Sequence, residues 1–134
     1  MNATACALIG LASWAIILTF ILLGVRLAAM RGGKDLNTFD STGKDMTGFP
    51  FRVTRAHGNM IENLAIPASF LLYALATQQT NVTNGLAPIV LWTRVGQSLV
   101  HLISTSKPMV LLRANLFFVQ IIICVYWAWK FCSA

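Results

Sequence analysis

The sequence predicts an all-α integral membrane protein built as a bundle of four transmembrane helices. Hydrophobic residues make up 57% of the 134 residues and charged residues only 10%, and the mean hydropathy is +0.69. A soluble domain of this size is ordinarily about 45–50% apolar and about 25% charged. Apolar stretches separated by polar connections reach the length that is needed to cross a hydrocarbon core of about 30 Å.

The first predicted helix covers residues 5–30. Its apolar run, from Ala5 to Val25, contains no charge. A signal peptide is the alternative, but the preceding Met-Asn-Ala-Thr carries no positive charge, and the run is longer than the ~7–15 apolar residues of a signal peptide. We therefore interpret it as a spanning helix that ends at the Arg-Gly-Gly-Lys of residues 31–34.

The remaining helices are predicted at 52–77, 86–104 and 108–131. Pro67 lies inside the second of them, where proline typically bends a spanning helix. Basic residues concentrate in the loop 31–51 and the connection 104–108. The positive-inside rule therefore predicts that both connections are cytoplasmic and that both termini lie outside.

A polar stripe occupies one face at the beginning of the second helix. At about 100° per residue its members fall within an arc of roughly 100°; they are Arg52, Arg55, Asn59, Glu62 and Asn63. Ionisable groups at this depth need partners. His57 points away from the stripe, so we expect it to make an interfacial or intersubunit hydrogen bond rather than to act in catalysis.

The third helix has a similar polar face, formed by Arg94, Gln97, Ser98 and His101. For His101, ligand contact and an internal hydrogen bond are both open. Two histidines without an acidic cluster do not make a metal site, and three cysteines without Cys-x-x-Cys spacing indicate neither a zinc site nor a disulfide framework. Because the basic residues lie in or beside spanning helices, no nucleic-acid partner is expected.

The pattern Arg-x-x-Arg-Ala-x-x-Asn-x-x-Glu at residues 52–62, opening the second of four helices, resembles the MAPEG family of membrane-associated proteins in eicosanoid and glutathione metabolism. The resemblance covers nearly the whole chain and is to a prokaryotic-type, microsomal glutathione transferase-like member. It implies a homotrimer of four-helix bundles. Glutathione, as co-substrate, would bind between neighbouring subunits near the cytoplasmic side, and a small hydrophobic substrate would enter from membrane lipid.

Glutathione offers two carboxylates, an ammonium group and a thiol. The candidate binding residues are Arg52, Arg55, Asn59, Glu62, Arg94 and His101. A guanidinium group can fork onto a carboxylate, and Glu62 can pair with the ammonium. The alternative is that Arg55 or Arg94 pairs with Glu62 only to neutralise the bundle interior. Three or more buried arginines against one glutamate would leave an excess positive charge, which an anionic ligand would balance.

Arg113 is the candidate catalytic residue, as the group that stabilises the glutathione thiolate. Two positions depart from the family pattern. The enzymes compared have a tyrosine seven residues after the Arg94 equivalent, where this chain has His101. Several members place an arginine close behind the proline that opens the fourth helix, whereas residues 109–112 separate Pro108 from Arg113 here.

The leading hypothesis is a glutathione-dependent membrane enzyme. It would be a transferase acting on hydrophobic electrophiles from the bilayer, with reduction of lipid hydroperoxides as a further peroxidase activity. The alternative is a non-catalytic lipid-binding or scaffold protein of the same fold. The departures at His101 and 109–112 keep that alternative open.

Overall fold

The computed structural model describes all 134 residues, and its regular elements are all helical. The helices are α1 (Ala3–Arg31), α2 (Phe49–Ala76), α3 (Thr80–Thr83), α4 (Ala87–Ile103) and α5 (Lys107–Cys132), with a short 3-10 helix at Leu36–Thr38. The predicted all-α class is confirmed. Three helices, α1, α2 and α5, are long and apolar enough to cross a membrane. With 17 residues, α4 is about 26 Å long at about 1.5 Å per residue.

Helix α2 begins at Phe49, three residues before the position predicted from the sequence. Pro50 lies in its first turn, where the missing N–H costs nothing because the first amides of a helix have no partner. Gly48 precedes it at φ 67°, a left-handed conformation that favours glycine. Pro67 is buried inside α2, and the helix continues through it to Ala76.

The apolar core forms where α1 packs against α2 and α4, and α5 packs against α4. Ala7, Leu11, Ala15 and Leu18 recur every three or four residues on the buried face of α1. Gly10 lies beside them, and a Cβ atom there would stand 2.7 Å from the Cδ2 atom of Leu91 in α4. Small residues at such contacts let membrane helices approach closely, and Gly10 allows this between α1 and α4.

Hydrogen bonds tie the beginning of α1 to the connection after α2. The Thr4 hydroxyl lies 2.6 Å from the Thr83 hydroxyl and donates to Asn84 Oδ1 at 2.8 Å, and the Thr4 backbone N–H donates to the same oxygen at 3.0 Å. Both threonines are fully buried. The connection predicted only as polar thus contains a helical turn, α3, with a packing role.

The long loop between α1 and α2 is fastened by Lys34, whose Nζ atom lies 3.1 Å from Asp45 Oδ2. Hydrogen bonds from the Thr42 backbone and hydroxyl hold the pKa of Asp40 below its ordinary value. Burial raises the pKa of Asp45, but the hydrogen bond and charge of Lys34 help to bring it below its ordinary value. Both carboxylates therefore stabilise the folded loop in their charged form.

We expect Asp45→Asn to loosen this loop, because it removes the negative partner of Lys34. Chymotryptic cleavage after Phe39, a loop residue distant in sequence from both substituted positions, should become several-fold faster at pH 7. Asp35→Asn, at an exposed carboxylate without an ion pair, is the matched control and should leave the rate unchanged. Equal rates in the two variants would contradict the structural role of the ion pair.

The same two carboxylates, Asp40 and Asp45, determine in which direction the stability of the folded loop changes with pH. Since their folded-state pKa values are lowered, their stabilisation is present above the unfolded pKa of about 3.8 and is lost as the pH falls through the folded-state values.

Candidate functional site

A polar cleft of about 320 Å³ lies between α2, α4 and α5. Ten residues line it: Arg55, Asn59, Glu62, Asn63, Gln97, His101, Val110, Arg113, Ala114 and Phe117. The volume falls at the small end of the range for ligand sites, about 300–1,000 Å³. Such sites are usually lined mainly by apolar side chains, whereas only three of these ten residues are hydrophobic. The lining therefore suits a small and strongly polar ligand.

Helical spacing explains why these side chains meet. On α2 the lining positions are 55, 59, 62 and 63, on α4 they are 97 and 101, and on α5 they are 110, 113, 114 and 117. Positions three, four and seven residues apart share one face of a helix. The cleft is thus the place where one face of each of three helices converges.

Five of the seven predicted site residues line this cleft together. They are Arg55, Asn59 and Glu62 on α2, His101 on α4 and Arg113 on α5. Their roles toward a ligand stay predictions. Their convergence from three helices, however, is a property of the fold that no single segment of sequence contains.

Arg52 lies outside the cleft, although it belongs to the same stripe on α2. Its Nε–H donates to the Leu102 carbonyl at 2.8 Å, and its guanidinium carbon lies 5.9 Å from the centre of the Phe49 ring. Leu102 is in the last turn of α4, where carbonyl groups have no partner within the helix and attract cations. Arg52 therefore joins the beginning of α2 to the end of α4.

Arg94 lies behind the cleft rather than in it. The side chain is only 2% exposed, and its Nη1 donates to the Gln97 side-chain oxygen at 3.1 Å. Of these two residues, only Gln97 lines the cleft.

Within one chain, fewer than three arginines are buried. Arg94 alone is buried, while Arg52 and Arg113 are half-buried and Arg55 is exposed. Arginines near the ends of membrane helices extend toward the interface, which relieves the cost of burial. The excess of positive charge nevertheless survives in the cleft, which is lined by two guanidinium groups and one carboxylate.

Glu62 is exposed and forms no ion pair, because the single salt bridge in the chain joins Lys34 and Asp45. Internal neutralisation of Glu62 by Arg55 or Arg94 is therefore not found within one chain. The Nε atom of Arg113 is buried and has no hydrogen-bond partner. Glu62 and Arg113 thus line the cleft without an ion-pair partner in the chain.

Several lining residues were not among the predicted ligand contacts. Asn63 and Gln97 belong to the polar stripes, and the Asn63 amide donates to the Asn59 carbonyl at 3.0 Å. Val110, Ala114 and Phe117 are not among the predicted site residues, although their spacing from Arg113 places them on the same face of α5. This helical spacing is the sequence feature from which their place in the site can be predicted.

His57 makes a hydrogen bond to another helix of the same chain. Its Nε2 atom lies 3.1 Å from the Thr19 hydroxyl of α1. The ring points away from the polar cleft and joins α2 to α1, as expected for a residue off the stripe.

The fold and the cleft define a helical membrane protein with a polar site among its spanning segments. The MAPEG family model matches residues 4–132, so the chain belongs to the MAPEG family. This family of membrane proteins includes glutathione-dependent transferases and related proteins. No curated protein and no solved structure matches the chain.

We expect Arg52→Ala to destabilise the bundle, since it removes a charged hydrogen bond between two helices. The free energy of unfolding should fall by about 1–2 kcal/mol, seen as a lower midpoint of thermal unfolding in detergent. Lys44→Ala, at an exposed loop lysine without an ion pair, should change it by less than about 0.5 kcal/mol. Indistinguishable midpoints would show that Arg52 does not join the helices.

Proposed function

We propose that this protein is a glutathione-dependent membrane enzyme, a transferase that joins the glutathione thiol to hydrophobic electrophiles from the bilayer. The observation that carries the proposal is the cleft itself. In a MAPEG chain, it gathers two arginines, a carboxylate without an ion pair and three side-chain amides.

The groups of glutathione match this lining. Arg55 can fork onto one carboxylate, and Glu62 can accept the ammonium group. Asn59 and Asn63 offer amides to the peptide backbone of the ligand. Glutathione with its thiol protonated carries a net charge of −1, which complements the excess of one positive charge from two guanidinium groups and one carboxylate.

Arg113 is proposed to stabilise the thiolate. A free thiol of pKa about 8.5 is only a few per cent ionised near neutral pH, and a pKa lower by two units requires about 2.7 kcal/mol of differential stabilisation. A charge-assisted hydrogen bond contributes about 1.5–3 kcal/mol. The place of Arg113 in the cleft lining, without a carboxylate partner in the chain, supports this role.

In the proposed reaction the thiol proton passes to water and the thiolate sulfur attacks an electrophilic carbon. A carbon–sulfur bond forms, and a leaving group such as halide departs with the electrons of its bond. Val110 and Phe117 supply apolar surface for the acceptor, and holding both reactants together provides much of the rate increase. In the further peroxidase activity, two glutathione molecules are oxidised to the disulfide while a hydroperoxide is reduced to an alcohol and water.

The proposed assembly is a homotrimer in which α4 forms the fourth span. The exposed Glu62 supports a site that a neighbouring subunit completes, since an ionisable group facing lipid is costly. The loops 31–51 and 104–108 are proposed to be cytoplasmic and both termini to lie outside, on the basis of the basic residues.

The second candidate function is a non-catalytic lipid-binding or scaffold protein of the same fold. One observation favours it: residues 109–112, close behind Pro108, contain no arginine, and Val110 among them lines the cleft. Glutathione binding without turnover would select this candidate.

The test of the enzyme proposal is Arg113→Ala. This variant should remain a folded oligomer and bind glutathione through Arg55, Asn59 and Glu62, yet raise the pKa of the bound thiol. Conjugation of an aryl halide should fall about 10- to 100-fold at pH 7 and recover partly at high pH. Calorimetric binding and a pH–rate profile on detergent-purified protein measure the two effects.

Two variants accompany that test. Asn115→Ala, at an exposed α5 residue outside the cleft, should retain the normal rate and pH profile. Arg55→Ala should weaken binding with little change in the pH profile. If Arg113→Ala were active with an unchanged pH profile, another residue would have to stabilise the thiolate, and His101 would be the first to test.

The proposed assembly predicts a trimer in native mass spectrometry from mild detergent. Glu62→Gln should leave the trimer intact while weakening glutathione binding. If the wild-type protein were a monodisperse monomer and still bound glutathione, an intersubunit site would be contradicted.

A further inference from the structure

Three buried or nearly buried polar side chains form a connected group behind the cleft. The Gln97 oxygen accepts from Arg94 Nη1 at 3.1 Å and from Gln120 Nε2 at 3.3 Å. Arg94 and Gln120 are 2% and 1% exposed. Only Gln97 reaches the cleft, so any direct contact of this group with a ligand is made by its amide.

The orientation of this amide is dictated by Arg94. A guanidinium group donates hydrogen bonds and cannot accept them, so Gln97 must turn its oxygen toward Arg94. Gln120 must then present its own NH2 group, which leaves the Gln120 side-chain oxygen buried without a partner. The Gln97 NH2 group forms no hydrogen bond within the chain and is the end of that amide left for the cleft.

Packing alone does not explain why a charged residue is buried at position 94. No carboxylate pairs with it, because Lys34–Asp45 is the only salt bridge. A buried cation without a counter-ion is costly, and an apolar side chain of similar volume is often as stable or more stable. With the aligned Gln97 amide in front of it, however, this cation makes the back wall of the cleft attractive to an anionic group.

We propose that Arg94 is a positioning residue, which holds the Gln97 amide so that its NH2 group donates to an anionic group of the ligand. This inference rests on the proposed function, in which that group is a carboxylate or the thiolate of glutathione. It also gives a role to Arg94, which the sequence predicts as a ligand contact but which lies outside the cleft.

The first test compares two replacements of Gln97 that are similar in size, with glutathione affinity measured by calorimetry. Gln97→Met removes the donor and should weaken binding about tenfold or more. Gln97→Glu can still accept from Arg94, but turns a negative oxygen toward the ligand. It should bind more weakly than Gln97→Met. Equal affinity of wild type and both variants would overturn the proposal.

The second test asks whether Arg94 acts through Gln97. Arg94→Met should weaken binding about as much as Gln97→Met, whereas the double variant should be little weaker than either single one, since coupled residues are not additive. Gln120→Met, which leaves Arg94 in place, is the matched control and should bind nearly normally. Fully additive losses would mean that Arg94 has only a structural role.

The outcomes separate this inference from the function on which it rests. If the unmodified protein does not bind glutathione, the proposed function fails and the inference falls with it. If Arg55→Ala weakens binding while Gln97→Met does not, the function stands and the inference is wrong. Should Arg94→Met fail to fold, Arg94→Gln takes its place: its amide can donate or accept, so Gln97 is no longer held in one orientation and binding should weaken, whereas binding as tight as that of the wild type would overturn the proposal.

Discussion

The cost of leaving ionisable side chains in lipid is the constraint on which this structure depends. The polar faces of α2 and α4 must turn toward each other and toward Arg113 of α5, and the cleft is the place where they meet. The apolar face of α1 is free to pack against α2 and α4. A binding site and a stable bundle thus arise from the same requirement.

The arginines of these helices meet that requirement in different ways. Arg52 uses an unpaired carbonyl at the end of α4, and Arg94 uses the Gln97 amide. Arg55 and Arg113 remain in the cleft without a carboxylate partner in the chain. The first two arginines contact the end of α4 and the Gln97 amide, which leaves the other two for the proposed anionic ligand.

Glu62 links the site to the proposed assembly. A carboxylate that is exposed on one chain and lines the cleft suits a ligand that carries an ammonium group, and it also suits a site that a second subunit encloses. The apolar side chains of Val110 and Phe117 adjoin these polar groups. A polar thiol and a hydrophobic acceptor can therefore meet at one boundary, as the proposed transferase reaction requires.

The all-α class and the two polar stripes followed from the sequence, because helical periodicity is a local property. The site did not follow completely. Arg52 and Arg55 share a face of α2, yet only Arg55 enters the cleft, since the end of α4 lies beside Arg52. Val110 and Phe117 enter it beside Arg113, and Arg94 stays behind Gln97. The rotation and offset of packed helices decide these positions, and they depend on contacts such as Gly10 with Leu91 that join distant parts of the chain.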